Sequence, residues 1–285
     1  MRYPTDLSPR RMVLIAVAIC LLLGLSAVLI GVPRSIEFTG GTMIRIRSGN
    51  DLDASAVESA LEGILRKDVS VDLVRGGLDA RVQAQLTEDQ KSEIRGALSA
   101  FGVDEGEVSI DSLGQNIIAV YAGQAVFAVV GAFIAMAVII MIAFRRRIPV
   151  AAMLLAVGLD MLCVFGLMSI FRVDLSLASM AGILMLIGYS VDTNILLTTS
   201  LLRRTEGEPL DRLRSAVRTG LMMSGTTLIP LVALNLLTTA PQLYQLTMVL
   251  IFGILADMMN TWLLNSGLLL WHIGRKKEVR YHVAL

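Results

Sequence analysis

The stretch GILMLIGYSVDTNILLTTSLL, residues Gly182 to Leu202, is long enough and apolar enough to cross a bilayer as a helix. It carries a carboxylic acid, Asp192, near its middle. An ionisable group at that depth costs several kcal/mol and usually faces other helices or a water-filled cavity. At helical spacing Asp192 shares a stripe with Ala181, Gly188 and Thr199, and small residues let a neighbouring helix approach closely. We therefore predict that Asp192 faces a helix bundle and works in charge movement or switching.

The overall composition is that of a membrane protein, with 55% hydrophobic and 17% charged residues. The formal net charge of +1 argues against a basic nucleic-acid-binding protein. Cys20 and Cys163 lie in apolar runs and are interpreted as small hydrophobic residues. His272 and His282 are too scattered for a metal site. We predict no cofactor, no metal and no enzymatic activity.

Six apolar runs have the length of a transmembrane helix. The first, residues 12–33, lacks a clear small-residue cleavage site, so we interpret it as a retained helix rather than a signal peptide. The other five lie in the region 123–274, at about 124–144, 148–171, 175–202, 220–239 and 243–273.

Basic residues are concentrated on one side of these spans, so the positive-inside rule predicts both termini in the cytoplasm. The N-terminus is then residues 1–11, the tail is 275–285, and residues 34–122 form an extracytoplasmic domain of a protein in the cell membrane. The basic clusters are Arg145–Arg147, Arg203 and Arg204 with Arg212, Arg214 and Arg218, and Arg275–Lys277.

Residues 34–122 have the pattern of a small α+β domain. Alternating residues predict strands at 38–47, 69–73, 80–86 and 108–110, and helical spacing predicts helices at 57–65 and 94–101. Thr87 and Gln90 form a capping-box motif at the start of the second helix. The order β-α-β-β-α-β indicates a ferredoxin-like fold.

Further polar residues lie in the third, fifth and sixth spans and beside Asp192 in the fourth. Asp160 lies in the third span and Asp257 in the sixth; the uncharged residues are Ser224 and Thr227 in the fifth, Asn260 in the sixth, and Tyr189 and Asn194 in the fourth. Polar groups often join membrane helices by hydrogen bonds, and we favour that interpretation for the uncharged ones. For Asp160 and Asp257 a structural and a functional interpretation both stay open.

For Asp192 we favour function, because unpaired intramembrane acids mark ion or proton paths. A carboxyl group kept neutral by apolar surroundings can gain and lose a proton as solvent access alternates. One charge moved across the membrane draws about 2.3 kcal/mol per 100 mV. A protease dyad of Asp192 and Asp257 is disfavoured, because the Gly-x-Gly-Asp context typical of intramembrane aspartyl proteases is missing around both.

Three motifs resemble the SecD/SecF family of protein-export membrane proteins. FTGGT at Phe38–Thr42 resembles the start of the SecF external domain. GYSVDTN at Gly188–Asn194 is similar to the fourth-span motif of the family, and SGTTL at Ser224–Leu228 to the fifth-span motif of SecF. VDTN and ADMMNTWLLN at Ala256–Asn265 look more like archaeal than bacterial SecF.

The resemblance implies a six-helix half-transporter of the RND superfamily type that pairs with SecD. The pair would use the proton gradient to help the Sec translocon, a SecY-type channel complex, move exported polypeptide. Asp192 would be the proton-linked residue, with Asp160, Asp257 and Arg218 as tuning or relay groups; Arg218 stands one position away from an arginine of the bacterial fifth span. Two alternatives stay open: a scaffold subunit of the same complex, and an RND-type exporter of lipids or small hydrophobic molecules.

Overall fold

The structure, a computed structural model, describes residues 8–47, 53–74, 76–113, 115–144, 147–202 and 208–271. It contains two compact units. The helical unit takes in the described residues of Met1–Pro33, Phe127–Asp174 and Ala178–Leu285. The α+β unit comprises Arg34–Val126 and Leu175–Leu177.

Within the described ranges the secondary structure follows the predicted order. The elements are α1 (Pro9–Ile30), α2 (Ile36–Thr39), β1 (Gly41–Ile46), α3 (Ala54–Leu65), β2 (Val69–Val74), β3 (Gly77–Val82), α4 (Glu88–Ala100), β4 (Val108–Leu113), α5 (Gln115–Phe144), α6 (Arg147–Ile170), α7 (Leu177–Leu202), α8 (Pro209–Leu237) and α9 (Pro241–Met259). A π-helical segment, Asn260–Asn265, follows α9 directly.

In the part of the chain that the structure describes, six helices are long and apolar enough to cross a membrane, as the sequence predicted. Two of them start earlier than expected. α5 starts at Gln115, and α8 starts at Pro209, where proline occupies the first turn. The charged residues at the start of α8 interrupt the apolar run by which a membrane span is recognised in the sequence. Leu213, Ala216 and Val217 are nevertheless buried on its inner face. Arg212, Arg214 and Arg218 therefore lie on a helix rather than in a connection.

The first span ends at Ile30 rather than at Pro33, because Gly31 leaves the helix with φ = 79°. Most of the basic residues that predicted the orientation, Arg145, Arg146, Arg203, Arg204 and Arg275–Lys277, lie outside the described residues, as do His272 and His282. The positions of the chain termini relative to a membrane therefore stay predictions.

In the α+β unit, four strands form one antiparallel sheet in the order β2-β3-β1-β4. With α3 and α4 this gives the predicted β-α-β-β-α-β arrangement. The capping box at Thr87 and Gln90 is confirmed, with both reciprocal hydrogen bonds present. The core between sheet and helices is apolar; its fully buried members include Ile44, Val57 and Ile94.

The FTGGT stretch differs from the predicted strand 38–47. Phe38 and Thr39 belong to the short helix α2, and the strand begins only at Gly41. Gly40 and Gly41 have φ values of 80° and 109°, which L-residues rarely adopt. A Cβ on Gly41 would also lie 2.2 Å from the carbonyl oxygen of Val82. The two glycines therefore allow the chain to turn from helix into sheet.

Within the helical unit, α1 and α6 pack closely. A Cβ on Gly166 would lie 2.2 Å from the carbonyl oxygen of Leu23, so glycine is needed for this backbone contact. A hydroxyl reinforces it: Oγ of Ser169 donates to the carbonyl of Gly31 at 2.8 Å, and Oγ of Ser26, which donates to the carbonyl of Leu23 in its own helix, lies 3.2 Å from the carbonyl of Gly166. Small residues and hydroxyls join membrane helices in this way.

Candidate functional site

The face of α7 that is buried differs from the predicted one. Ser190, Thr193 and Asn194 are buried, whereas Asp192 is exposed in this chain. Ser190, Thr193 and Asn194 are three and four positions apart and therefore share one face of the helix. Successive residues are about 100° apart, so Asp192 lies roughly on the opposite face. The prediction that Asp192 lies buried in the bundle of this chain is therefore wrong. Gly188 and Tyr189 are also exposed.

The acids of α6 and α9 are the buried ones. Asp160 is 0% and Asp257 3% exposed. The hydroxyl of Ser190 lies between them, with Oγ at 2.7 Å from Oδ2 of Asp160 and 2.7 Å from Oδ1 of Asp257. Three helices thus bring two carboxyl groups to one serine hydroxyl.

Each carboxyl group has further hydrogen-bond partners. Nδ2 of Asn260 donates to Oδ1 of Asp160 at 2.8 Å. Oγ1 of Thr193 lies 2.6 Å from Oδ2 of Asp257, and Oγ1 of Thr261 lies 3.0 Å from its Oδ1. All of these partners are uncharged. Hydrogen bonds, rather than a neighbouring cation, therefore stabilise the negative charge that the two acids share.

The π-helical segment places two asparagines on the inner side of the bundle. Asn260 reaches Asp160, and Asn265 donates to Oδ1 of Asn194 on α7. The two asparagines are five positions apart, which is the spacing of the i→i+5 hydrogen bonds of a π-helix. Such π-helical turns occur frequently at functional sites.

The two cysteines extend this buried cluster, which the sequence did not indicate. Sγ of Cys20 lies 3.1 Å from Oδ1 of Asn260, and Sγ of Cys163 lies 3.2 Å from Sγ of Cys20. Both are buried and neither is in a disulfide. Both also pack with Ala256 in an apolar cluster, in line with their interpretation as small hydrophobic residues.

A pocket of about 150 Å³ lies between α7, α8 and α9. Asp192 and Asp257 both line it, together with Tyr189, Ser224 and Thr227. The pocket thus connects the exposed acid of α7 with the buried acid of α9. Arg218 is exposed on α8 and is not among the lining residues.

Of the predicted polar residues, the structure brings Asp160, Asp257, Asn194 and Asn260 into one cluster, and Asp192, Tyr189, Ser224 and Thr227 to the pocket beside it. Sequence reasoning missed the central position of Ser190. Its spacing of three and four to Thr193 and Asn194 was a usable signal, since these positions share a helix face.

Comparison with known proteins agrees with this architecture. Residues 94–275 match the family model "Protein export membrane protein SecD/SecF, C-terminal". The chain belongs to the SecD/SecF family of protein-export membrane proteins. Its relatives include proteins named protein-export membrane protein SecF from two archaea. The chain is 36% identical to the one from Pyrococcus furiosus, over 86% of this chain and 83% of that protein. It is 35% identical to the one from Methanocaldococcus jannaschii, over 91% of this chain and 94% of that protein.

The fold also matches solved SecDF structures. The crystal structure of SecDF, a translocon-associated membrane protein from Thermus thermophilus, has a TM-score of 0.78 at 20% identity. The match covers 93% of this chain and 38% of that longer chain. SecDF in its super-membrane-facing form matches with a TM-score of 0.56. The half-transporter fold of the SecD/SecF family, with a small α+β domain, is thereby confirmed.

Proposed function

We propose that this chain is the SecF-type subunit of the protein-export machinery and that it pairs with SecD. The pair uses the proton gradient to assist the passage of polypeptide through the Sec translocon, a SecY-type channel complex. Family membership supports the export role, since the relatives are named protein-export membrane proteins. The pairing and the use of protons rest on the geometry of the acids.

The observation that carries the proposal is the pocket between α7, α8 and α9. Asp192 and Asp257 line it, and Asp257 is joined through Ser190 to Asp160. This arrangement gives a route for protons from an exposed acid to a buried one. Intramembrane acids that line cavities are characteristic of proton relays in transporters.

The exposure of Asp192 supports a partner subunit. A carboxyl group facing lipid at the centre of a membrane helix costs about 3 kcal/mol on insertion scales. A partner whose own helices cover this side of α7 removes that cost, and SecD is the partner we propose. Tyr189, 40% exposed, lines the same pocket and would lie in the same contact. Asp192 then faces a helix bundle after all, but one that two chains build.

Arg218 is proposed as a tuning group. It lies on α8 close to the start of the span and is exposed. A cation there can favour the ionised form of an acid on a facing helix of the partner. Gly188 and Thr227 are proposed as packing residues of α7 and α8.

The proposed orientation follows the distribution of basic residues. Residues 1–11 and 275–285 lie in the cytoplasm, and the domain at 34–122 lies on the outer side of the cell membrane, where it can contact SecD or emerging polypeptide.

The test is export of a signal-peptide reporter in cells that carry Asp192→Asn. Asparagine keeps the size and polarity of the side chain but cannot carry a proton, so we expect most of the export assistance to be lost at normal protein levels. Asp211→Asn is the matched control, because Asp211 is exposed at the start of α8 and pairs with Arg214 at 3.1 Å. Unchanged export in Asp192→Asn cells would favour the scaffold alternative. A chain that purifies without a SecD-type partner would contradict the pairing.

A further inference from the structure

We propose that Asp160, Ser190 and Asp257 bind one proton as a unit and pass it between the two carboxyl groups through the serine hydroxyl. The three residues are called the proton site below. Its place in export rests on the proposed function, but its existence follows from the hydrogen bonds alone. It lies within this chain and does not include Asp192.

The first step is a count of hydrogen-bond donors at Ser190. Its Oγ lies 2.7 Å from a carboxyl oxygen on either side, and both distances are those of O–H···O hydrogen bonds. A hydroxyl group has one proton to donate. It can serve one carboxylate only, and the other carboxyl group must then donate its own proton to Oγ. At least one of Asp160 and Asp257 is therefore protonated.

The surrounding donors decide which acid holds the proton at rest. Asp257 is the better place for negative charge, because the hydroxyls of Thr193, Thr261 and Ser190 can all donate to it. Asp160 accepts one donor, Nδ2 of Asn260, on Oδ1. Its Oδ2 is left to carry the proton and to donate it to Ser190.

This assignment uses every donor once. Asp160 donates to Ser190, and Ser190 donates to Asp257. Nδ2 of Asn194 has two hydrogens, and it donates to the carbonyl oxygen of Ser190 at 2.7 Å and to its Oγ at 3.2 Å. Oγ of Ser190 then donates once and accepts twice, which is the full capacity of a hydroxyl.

Movement of the proton needs only a shift along the same hydrogen bonds. The O–H bond at Oδ2 of Asp160 breaks as its proton joins Oγ of Ser190, and the original serine proton passes to Oδ1 of Asp257. Ser190 is neutral before and after the shift. Asp160 ends as the carboxylate and Asp257 as the acid, so one charge has moved from α9 to α6.

The geometry also identifies which acid exchanges with the outside. Asp257 lines the pocket between α7, α8 and α9, whereas Asp160 is 0% exposed. On the side away from Ser190, Asp160 meets Asn260, and beyond it Cys20 and Cys163. Protons therefore enter and leave through Asp257, and Asp160 is the inner end.

A proton fits this site better than a metal cation. The serine oxygen is within hydrogen-bond distance of both carboxyl oxygens, which leaves no space for a metal ion between them. Among the described residues, no group of three or more His, Cys, Asp or Glu side chains is placed to hold a metal ion. Sodium is the competing occupant and is included in the test.

The test is infrared spectroscopy of the full chain in lipid nanodiscs at roughly pH 8, where carboxyl groups in contact with water are ionised. We expect a C=O stretching band of one protonated carboxylic acid. Asp160→Asn should abolish it, because the amide can donate to Ser190 and leaves Asp257 ionised. Asp257→Asn should keep the band, since Asp160 still donates to Ser190.

Ser190→Ala provides a second, independent variant. The acid proton loses its acceptor, so the band should remain and shift to higher frequency. Thr198→Val is the matched control, because Thr198 is buried on the same helix and its hydroxyl has no hydrogen-bond partner in the described part of the chain. Its band should be unchanged, as should that of Asp192→Asn.

Three results would overturn the proton site: no band in the unaltered chain, a band undiminished by Asp160→Asn, or a band that disappears when sodium replaces potassium. Export measured in the same variants separates this proposal from the proposed function. Loss of the band with normal export in Asp160→Asn cells contradicts proton coupling and leaves the site in place. Export that depends on Asp160 without any band contradicts the site alone.

Discussion

The two units of this chain treat buried carboxyl groups differently. In the α+β unit, Asp79 is 7% exposed and pairs with a cation, with Nη1 of Arg47 at 2.7 Å from its Oδ1. In the helical unit, Asp160 and Asp257 are more deeply buried, and their hydrogen-bond partners are uncharged. The same functional group is neutralised by an arginine in one unit and shares hydrogen bonds with serine, threonine and asparagine in the other.

The difference follows from what surrounds each unit. A water-exposed domain is stabilised by burial of apolar surface, so its interior is apolar and its charges pair near the surface. Apolar burial does not drive membrane helices together, because lipid is as apolar as leucine; packing and interhelical hydrogen bonds do so instead. The polar interior of the helical unit is where we place the proposed proton site.

The largest loss of stability is expected when a carboxyl group is introduced into the apolar core of the α+β unit. Ile44 is 0% exposed in the apolar core of the α+β unit. We expect Ile44→Asp to unfold this unit, at a cost above about 4 kcal/mol, because the new acid has no cation or hydrogen-bond donor there. Hydrogen exchange of the β1 and β3 amides in the full chain measures it. Ile44→Val, at about 1 kcal/mol, is the control, and retained protection in Ile44→Asp would refute the contrast.

The next effect concerns the packing of the helical unit. Gly166→Ala should cost about 3 kcal/mol, because its Cβ would lie 2.2 Å from a backbone oxygen of α1 and the two helices must separate. Thermal unfolding of the full chain in detergent gives the measurement. Gly158 is on the same helix and a Cβ there would meet nothing within 4 Å, so Gly158→Ala should be nearly neutral. Equal melting temperatures for the two variants would contradict the close backbone contact.

The smallest effect is expected from removal of a cation. Arg47→Met should destabilise the α+β unit by about 1–2 kcal/mol, because it leaves Asp79 buried without its partner. Arg45 lies on β1, two residues before Arg47, and pairs with the more exposed Asp111, so Arg45→Met should cost less than about 1 kcal/mol. Denaturant titration followed by hydrogen exchange compares them. If Arg45→Met destabilises the unit more than Arg47→Met does, burial does not determine how much each ion pair contributes to stability.

Much of the fold could be predicted from periodicity. The six long helices and the β-α-β-β-α-β order follow from apolar run length and from spacings of two and of three to four residues. The start of α8 was missed because its arginines interrupt the apolar pattern while Leu213 and Ala216 still face inward. Phe38 was placed in a strand because no pattern shows that a single helical turn precedes Gly40.

The site was less predictable than the fold. The sequence identifies which residues are polar within spans, but not which face of each helix the neighbouring helices cover. Because a charged group in a span usually faces other helices, the sequence predicts that Asp192 is buried. In the structure Asp192 is exposed, and Ser190, two positions earlier, is buried instead. The contact between Cys20 and Cys163 joins residues 143 positions apart, a distance that spacing along the chain cannot predict.

The π-helical turn at Asn260–Asn265 has a consequence for anyone mapping the last span by scanning mutagenesis. Up to Met259, tolerant and intolerant positions should recur every three to four residues. The wider turn uses up one additional residue, so beyond Asn265 the recurrence resumes with its phase displaced by one position. A scan interpreted with a single uniform period would then assign lipid-facing positions to the interior in the final part of the helix, and the offset itself would locate the turn experimentally.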